Sequence, residues 1–314
     1  MLYQLSYTPA ARWSGAFIEG VGDRQSLLPP VLCSATMHAP HHLPIPVETL
    51  LLAYRSGIFP MADRREDSEV FWVEPRERAI LPLGGLHVSK SLRKVLRADR
   101  FTVTLDRDFE RVIRACAEPR EDHPETWISE RIVQSYIALH RAGHAHSVEC
   151  WDNGPGGERV LVGGLYGVSF DRVFCGESMF SRAPNASKVA LAWLVALLTR
   201  AGFVLLDCQF MTEHLRSMGA VELPQRDYRR LVDRANGRPL TSLGTAWRGF
   251  IEGAAYASGV AAGAGAGAGV GVAEGVAEGA GAGVPEGLPE ALGAGLAESA
   301  SPGQRIAQFL TQTS

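Results

Sequence analysis

Two carboxylates and one amide stand where a buried β-strand has no use for them. Glu177 lies in RVFCGESMF and Asp207 in VLLDCQF, both otherwise apolar and strand-like. Gln209 follows Asp207 at the two-residue spacing that puts both side chains on one face of a strand. The same alternation groups Val173, Cys175, Glu177 and Met179 against Phe174, Gly176, Ser178 and Phe180, and sets Leu206, Cys208 and Phe210 against Leu205, Asp207 and Gln209. An unpaired carboxylate in such a setting carries a heavy desolvation cost or is driven neutral. Two readings follow. The acids handle a proton or hold a substrate amine, or they pair with Arg172, Arg182 or Lys188 or cap backbone groups.

Other chemistries find less support. His140, His144, His146 and Cys150 fall within eleven residues, but Gly143 ends the helix between them, so they need not converge and no zinc site is read. No GxSxG elbow is present, and GGLYG is a strand rather than a GxxxxGK phosphate loop. Cys175 and Cys208 read as small core residues. No metal or cofactor is expected. Asn185 and Ser187 read as helix caps, with an anion site at that helix start as the alternative.

The elements that position the acids follow from pattern. A helix starts near Pro46 and ends at Gly57, and FWVEPRERAILPL is strand-like with turns at its prolines. His87 to Arg100 reads as a helix with Ser89 as cap and Leu92, Val95 and Leu96 inward. Its other face carries Lys90, Arg93, Lys94, Arg97 and Arg100 against Asp99, either a solvated surface or a phosphate-binding one. FTVTL is a strand, Asp108 to Ala117 a helix, and a helix with Trp127, Ile132 and Tyr136 on one side stops at Gly143. Ser147–Trp151, Arg159–Phe170 and Arg172–Phe180 form a meander. An apolar helix from Asn185, closed by Gly202, leads to the strand Val204–Phe210, and Glu213 to Met218 is a further helix.

Composition bounds the rest. The 314 residues are 46% apolar and 21% charged, with a formal net charge of −3, as expected for a water-soluble globular chain. Five Glu and no Lys, Arg or Asp fall between 253 and 300, so the body is near neutral and any nucleic-acid site must be a local patch. Five cysteines without CxxC spacing suit free thiols in a reducing compartment. With no leader and no membrane span evident, the expected location is cytoplasmic. The expected organisation is a poorly ordered extension over 1–39, a small N-terminal domain over 40–82, a catalytic domain over 83–250, and a Gly/Ala-rich disordered tail over 251–314. Fourteen Gly and sixteen Ala between 253 and 300 support the last assignment.

The order β-meander, helix, strand resembles the Gcn5-related N-acyltransferase fold, an α+β class that brings an acyl donor to an amine at a splayed strand pair. More specifically, the segments AYRSGIFP, FWVEPR, HVSKSLRK, TWIS, GHAHSVE, VGGLYGV, FCGESMFSR, NASKVAL, LLDCQF, HL-x-SMGA and QRDY are similar, in order, to the leucyl/phenylalanyl-tRNA–protein transferase family. The resemblance runs from about Leu50 to Tyr228. It implies a small N-terminal domain before an acyltransferase-like domain, and transfer of Leu or Phe, less well Met, from charged tRNA to a protein's N-terminal Arg or Lys. The modified protein is then marked for N-end-rule degradation.

The same resemblance implies roles. Glu177 contacts the donor's α-amino group, and Asp207 with Gln209 orients the attacking amine or relays its proton. Leu165, Phe174, Met179 and Leu206 line the side-chain pocket, Leu165 standing where the family often has Met. Tyr54 and Trp127 match aromatic positions near the terminal adenosine and acceptor. Met61 stands where the family often has Trp, and Trp72 is the aromatic that could substitute. Lys90, Arg93, Lys94 and Arg97 meet tRNA phosphates. The partners are Leu-tRNA, Phe-tRNA and proteins with N-terminal Arg or Lys, and the enzyme is expected to be a monomer. The competing readings are an acyl-CoA-dependent N-acetyltransferase, which needs a pyrophosphate loop that Phe180–Asn185 lacks, and a non-catalytic tRNA-binding module.

Overall fold

Seven strands order the molecule, β4-β5-β6-β7-β8-β3-β9, in a sheet that is antiparallel except at β7–β8. The computed structural model describes residues 43–119, 126–252 and 300–313. The strands are β3 (Glu77–Leu81), β4 (Thr102–Leu105), β5 (Ala145–Asn153), β6 (Arg159–Phe170), β7 (Val173–Ser181), β8 (Leu205–Gln209) and β9 (Val221–Pro224), and β1 (Phe59–Met61) pairs with β2 (Phe71–Val73) in a separate ribbon. The expected α+β class holds in this coarse form. Among the described residues no helix is long and apolar enough to cross a membrane.

Strand side chains divide between two cores. One receives α1 (Val47–Arg55), α3 (Phe109–Cys116), α4 (Glu130–Arg141) and α7 (Gln225–Arg234), with Tyr54, Phe59, Tyr136, Tyr166 and Tyr228 among its buried side chains. The other receives α2 (Lys90–Arg97), α5 (Ala186–Ala201), α6 (Glu213–Ser217) and α8 (Leu243–Glu252). Apolar around nearly its whole circumference, α5 is the buried axis of that layer. It ends where the sequence places the stop, with Gly202 at φ +80° as the left-handed residue after the helix.

Two expectations about organisation are corrected. β3 falls inside the predicted small N-terminal domain of 40–82, yet it is an interior strand hydrogen-bonded to both β8 and β9. Residues from Ile45 to Val73 also share one core with Tyr136 and Tyr166, so burial does not separate the two parts. The tail expected to be disordered over 251–314 contains a helix, α9 (Pro302–Gln312), with a Ser301/Gln304 capping box and Pro302 in the first turn. Its Ile306, Phe309 and Leu310 join the second core, and Arg305 Nη1 donates to the carbonyls of Phe250 and Ile251 at 3.0 Å. The low-complexity composition stops before this segment, whose apolar spacing is that of an amphipathic helix. The expected extension over 1–39 and most of the tail lie outside the described residues.

Besides an irregularity between β5 and β6 at Cys150/Trp151, two β-bulges beside the acids break the alternation that the sequence suggests. Tyr166 pairs with Ser178 and Gly167 with Gly176, which leaves Glu177 as the extra residue of β7. Cys175 before it faces the first core, but Met179 after it packs on the second and Phe180 on the first, so the predicted grouping of Glu177 with Met179 fails. In β8, Ile80 pairs with Asp207 and Ala79 with Gln209, leaving Cys208 extra. Gln209 has φ +62°, a left-handed backbone rare outside glycine, and Phe210 turns to the first core rather than following Leu206.

α9 is held by close approach as well as by burial. A Cβ on Gly303 would lie 2.1 Å from the Leu96 carbonyl oxygen of α2, and Gly303 N donates to Asp99 Oδ1 at 2.7 Å. Gly303→Val therefore forces the helix ends apart. We expect it to lower unfolding free energy by about 1–3 kcal/mol, read from urea denaturation against the unchanged chain.

Candidate active site

β7 and β8 hydrogen-bond only from Val173–Leu205 to Cys175–Asp207. Past that point the strands part, and Glu177 and Gln209 face each other across the gap, Gln209 Nε2 donating to Glu177 Oε1 at 2.9 Å. Tyr54 Oη donates to the same oxygen at 2.7 Å, and Tyr136 Oη to Oε2 at 3.2 Å. The two tyrosine hydroxyls also bond to each other. Burial pushes the Glu177 carboxyl up to about 7, opposed by the bonds from Tyr54, Gln209 and Tyr136 and assisted by the charge of Asp207. Burial first, then the neighbouring Glu177, raises the pKa of both phenols, so they stay protonated donors.

Asp207 sits in a different environment. Arg78 Nε donates to its Oδ1 at 2.9 Å and Nη2 to its Oδ2 at 2.5 Å, a bidentate pair with both side chains fully buried. Tyr228 Oη donates to Oδ2 at 3.0 Å and the Gln209 backbone N to Oδ1 at 2.8 Å. Burial is the largest influence and opposes the guanidinium charge, but the charge and hydrogen bonds of Asp207 together with Tyr228 and Cys175 hold Arg78 above its ordinary range. The guanidinium lies over the rings of Tyr228 and Phe59, at 4.4 and 4.9 Å from their centroids. The remaining arm, Nη1, donates to Gly57 O at 3.1 Å.

Where the strands part, a chamber opens. Its wall includes Leu165, Met179, Leu191, Leu194, Leu206, Phe210 and Leu215, with Trp127 also lining it and Glu177, Ser178, Thr212 and His214 as polar members. Three of the four expected pocket residues, Leu165, Met179 and Leu206, line it directly. Phe174 does not. It is fully buried in the second core, its ring where a Cβ on Gly167 would meet it at 2.4 Å. Tyr54 is also placed differently from the expectation of an aromatic wall for adenosine. Its ring is fully buried and its hydroxyl is committed to Glu177, so no base can stack on it. Trp127 stays half-exposed at the chamber, and Met61 is buried in β1.

Lys90, Lys94 and Arg97 are exposed on α2 and Arg93 half-buried, and the four line one surface hollow. Ser89 caps that helix as the sequence suggests, accepting from Leu92 N at 3.2 Å. Arg100 is not part of this group, being paired with Asp152 through two bonds of 2.6 Å. The histidine and cysteine cluster is dispersed. His140 Nδ1 bonds the Ala145 carbonyl, His146 Nδ1 bonds Asp106 Oδ2, and Cys150 Sγ donates to Ala186 O. The four described cysteines are free thiols. At the start of α5, Asn185 takes φ +69° without a side-chain cap, and Ser181 Oγ accepts from Ser187 N instead.

The sequence reading missed Arg78, Tyr136 and Tyr228 as site residues. The partners considered for the acids, Arg172, Arg182 and Lys188, are engaged elsewhere or stand apart. Arg172 reaches the Arg234 carbonyl, Arg182 pairs with Glu118, and Lys188 lines a groove at the start of α5. One signal was available: Arg78 opens the apolar run of β3, a position as improbable for a cation as those of Glu177 and Asp207 for acids.

Fold and site define an apolar chamber between parted strands, with one buried acid, Glu177, in its lining. Comparison with known proteins supplies the family. The family model described as Leucyl/phenylalanyl-tRNA protein transferase matches residues 80–233, and the one described as its N-terminal domain matches 44–76. A leucyl/phenylalanyl-tRNA–protein transferase of Novosphingobium aromaticivorans is 58% identical over 286 residues, 86% of this chain and 97% of the relative. One of Chlorobaculum tepidum is 49% identical over 197 residues, 63% of this chain and 98% of the relative. The chain belongs to the leucyl/phenylalanyl-tRNA–protein transferase family and is an aminoacyltransferase. Among solved structures, FemX is similar at TM-score 0.38 and 10% identity over 59% of this chain and 71% of that one, a likeness too slight to carry an argument.

The raised Glu177 pKa has a stability consequence. The folded state keeps a proton that the unfolded chain releases near the ordinary value of 4.5. Folding is therefore penalised increasingly as pH rises from about 4.5 to about 7, after which the penalty levels. Glu177→Gln removes the penalty. Its stability relative to the unchanged chain should grow by roughly 3 kcal/mol between pH 4.5 and 8, measured by urea unfolding across that range.

Proposed function

We propose that this chain transfers Leu or Phe, less readily Met, from aminoacyl-tRNA to the N-terminal Arg or Lys of a protein, marking it for degradation. The observation that carries the reading is the chamber between β7 and β8, apolar along its wall and acidic only at Glu177. The parted parallel strands also support assigning the sheet to the Gcn5-related acyltransferase type. Leu and Phe share an unbranched Cβ, and the half-buried Met179 supplies a wall that adapts to either side chain. Ile and Val, branched at Cβ, would crowd the neck beside Glu177.

The donor is an activated ester, so the chain must supply positioning and a path for one proton. With the donor side chain in the chamber, Glu177 holds its α-ammonium, and loss of the Glu177 proton accompanies that pairing. The acceptor amine attacks the ester carbonyl. The new C–N bond forms, the C–O bond to the terminal ribose breaks, and the proton lost by the amine ends on the departing ribose hydroxyl. Gln209, its amide nitrogen tied to Glu177, presents its carbonyl oxygen to the attacking amine. Asp207, with both oxygens in bonds to Arg78, acts by holding Gln209 rather than by accepting a proton itself. Trp127 on the chamber wall suits the terminal adenosine, and the α2 hollow suits tRNA phosphates.

Incubation with radiolabelled Leu-tRNA and a peptide beginning with Arg should yield labelled peptide, and Glu177→Gln should raise the KM for Leu-tRNA at least tenfold. Absence of label with the unchanged chain would sink the reading. On α2, replacing Lys90, Lys94 or Arg97 by Ala should each lower the slope of log affinity against log salt by roughly one. Filter binding of tRNA between 50 and 200 mM salt, a span of order typical for such titrations, reads this directly.

A further inference from the structure

We propose that Arg78 is a positioning residue of the transfer reaction, which sets both donors to Glu177 Oε1 from one buried guanidinium. The proposal rests on the reading of Glu177 as the contact for the donor's amine.

Two chains of contact lead from Arg78 to that one oxygen. Along the first, Nε and Nη2 grip Asp207, whose Oδ1 accepts from the Gln209 backbone N at 2.8 Å. Gln209 is held at φ +62°, a conformation that persists in a non-glycine residue only where its surroundings fix it. That turn aims Nε2 at Glu177 Oε1. Along the second, Nη1 holds the carbonyl of Gly57, the residue at φ +78° just beyond the end of α1. Gly57 is also gripped by Gln225 Nε2 at 3.1 Å, and three residues earlier Tyr54 donates to the same Oε1. With both donors on Oε1, Oε2 has Tyr136 alone and is the less engaged oxygen.

A planar guanidinium is needed for this. It offers donors in a fixed fork that meets both carboxylate oxygens in one plane and still points a third nitrogen elsewhere. An ammonium at the same place keeps the charge but cannot hold all three acceptors in register. Arg78 touches no substrate-facing surface, being fully buried, so any effect on transfer must pass through Gln209 and Tyr54.

The test is a double-mutant cycle on the full-length chain, with Leu-tRNA as donor and an Arg-initiated peptide as acceptor. Arg78→Lys should lower kcat/KM at least tenfold, through the KM for Leu-tRNA rather than the KM for the peptide. In a Tyr54→Phe/Gln209→Ala background the same change should cost less than twofold, because its two routes are already cut. An equal loss in both backgrounds, no loss at all, or a loss confined to the peptide KM would overturn the proposal. If Arg78→Lys does not fold, Arg78→Met with Asp207→Leu takes its place, since removing both members of a buried pair is tolerated better than removing one. Failure of both to fold would reduce Arg78 to a structural role and overturn the proposal as well. An unchanged chain that transfers nothing would instead sink the functional reading, and the role of Arg78 with it, which the wild-type arm distinguishes.

Discussion

A parallel strand pair that stops pairing after three residues leaves backbone and side chains without partners on both strands, and the site is built from the answer to that problem. Backbone polar groups released from a ladder must find other partners or water. Here the break is managed by a bulge on each strand, at Glu177 and at Cys208. Each re-aims the residue that matters, one turning an acid into the gap and the other putting Gln209 into a left-handed turn opposite it. The chamber is the space that the parting creates, and α5 contributes Leu191 and Leu194 to its apolar wall.

The two acids resolve the same burial problem in opposite ways. Asp207 is paired with a full countercharge in fork geometry, so its charge is compensated at contact and its position is firmly held. Glu177 receives only neutral donors, two phenols and an amide, which satisfy its oxygens without cancelling its charge. A buried carboxylate left in that condition is primed for a cation. An arriving ammonium gains both the Coulomb attraction and relief of the desolvation penalty already borne by the fold. Placing the compensated acid next to the uncompensated one also keeps repulsion between them small enough for both to be buried.

Much of this was legible from residue types. The candidate site was marked by Glu177, Asp207 and Gln209, polar residues in runs that should have none and that the fold brings together, and the caps at Ser89 and Gly202 fixed helix limits. What was not legible has a common cause. A bulge adds one residue without any compositional mark, so strict alternation placed Met179 on the face opposite to its real one. The partner of Asp207 stands 129 residues away on an antiparallel neighbour, and only sheet order reveals that β3 inserts between β8 and β9. β1 and β9 were missed because each contains a proline, at positions where the strand is short and lies at a rim. Tyr54 was expected beside the terminal adenosine from its place in a motif, although its position with Leu50, Leu51 and Ala53 on α1 already argued for burial.

α9 reaches its cradle from far along the chain: 47 residues separate Glu252 from Ala300. Its docking against α2, α5 and α8 is thus closer to an intramolecular binding event than to the packing of consecutive helices. Because helix and cradle belong to one chain, occupancy of the cradle is set within the molecule rather than by protein concentration. A single cut within 253–299 leaves a bimolecular complex whose halves part on dilution. In concentrated solution, one molecule's helix competes for the cradle of another.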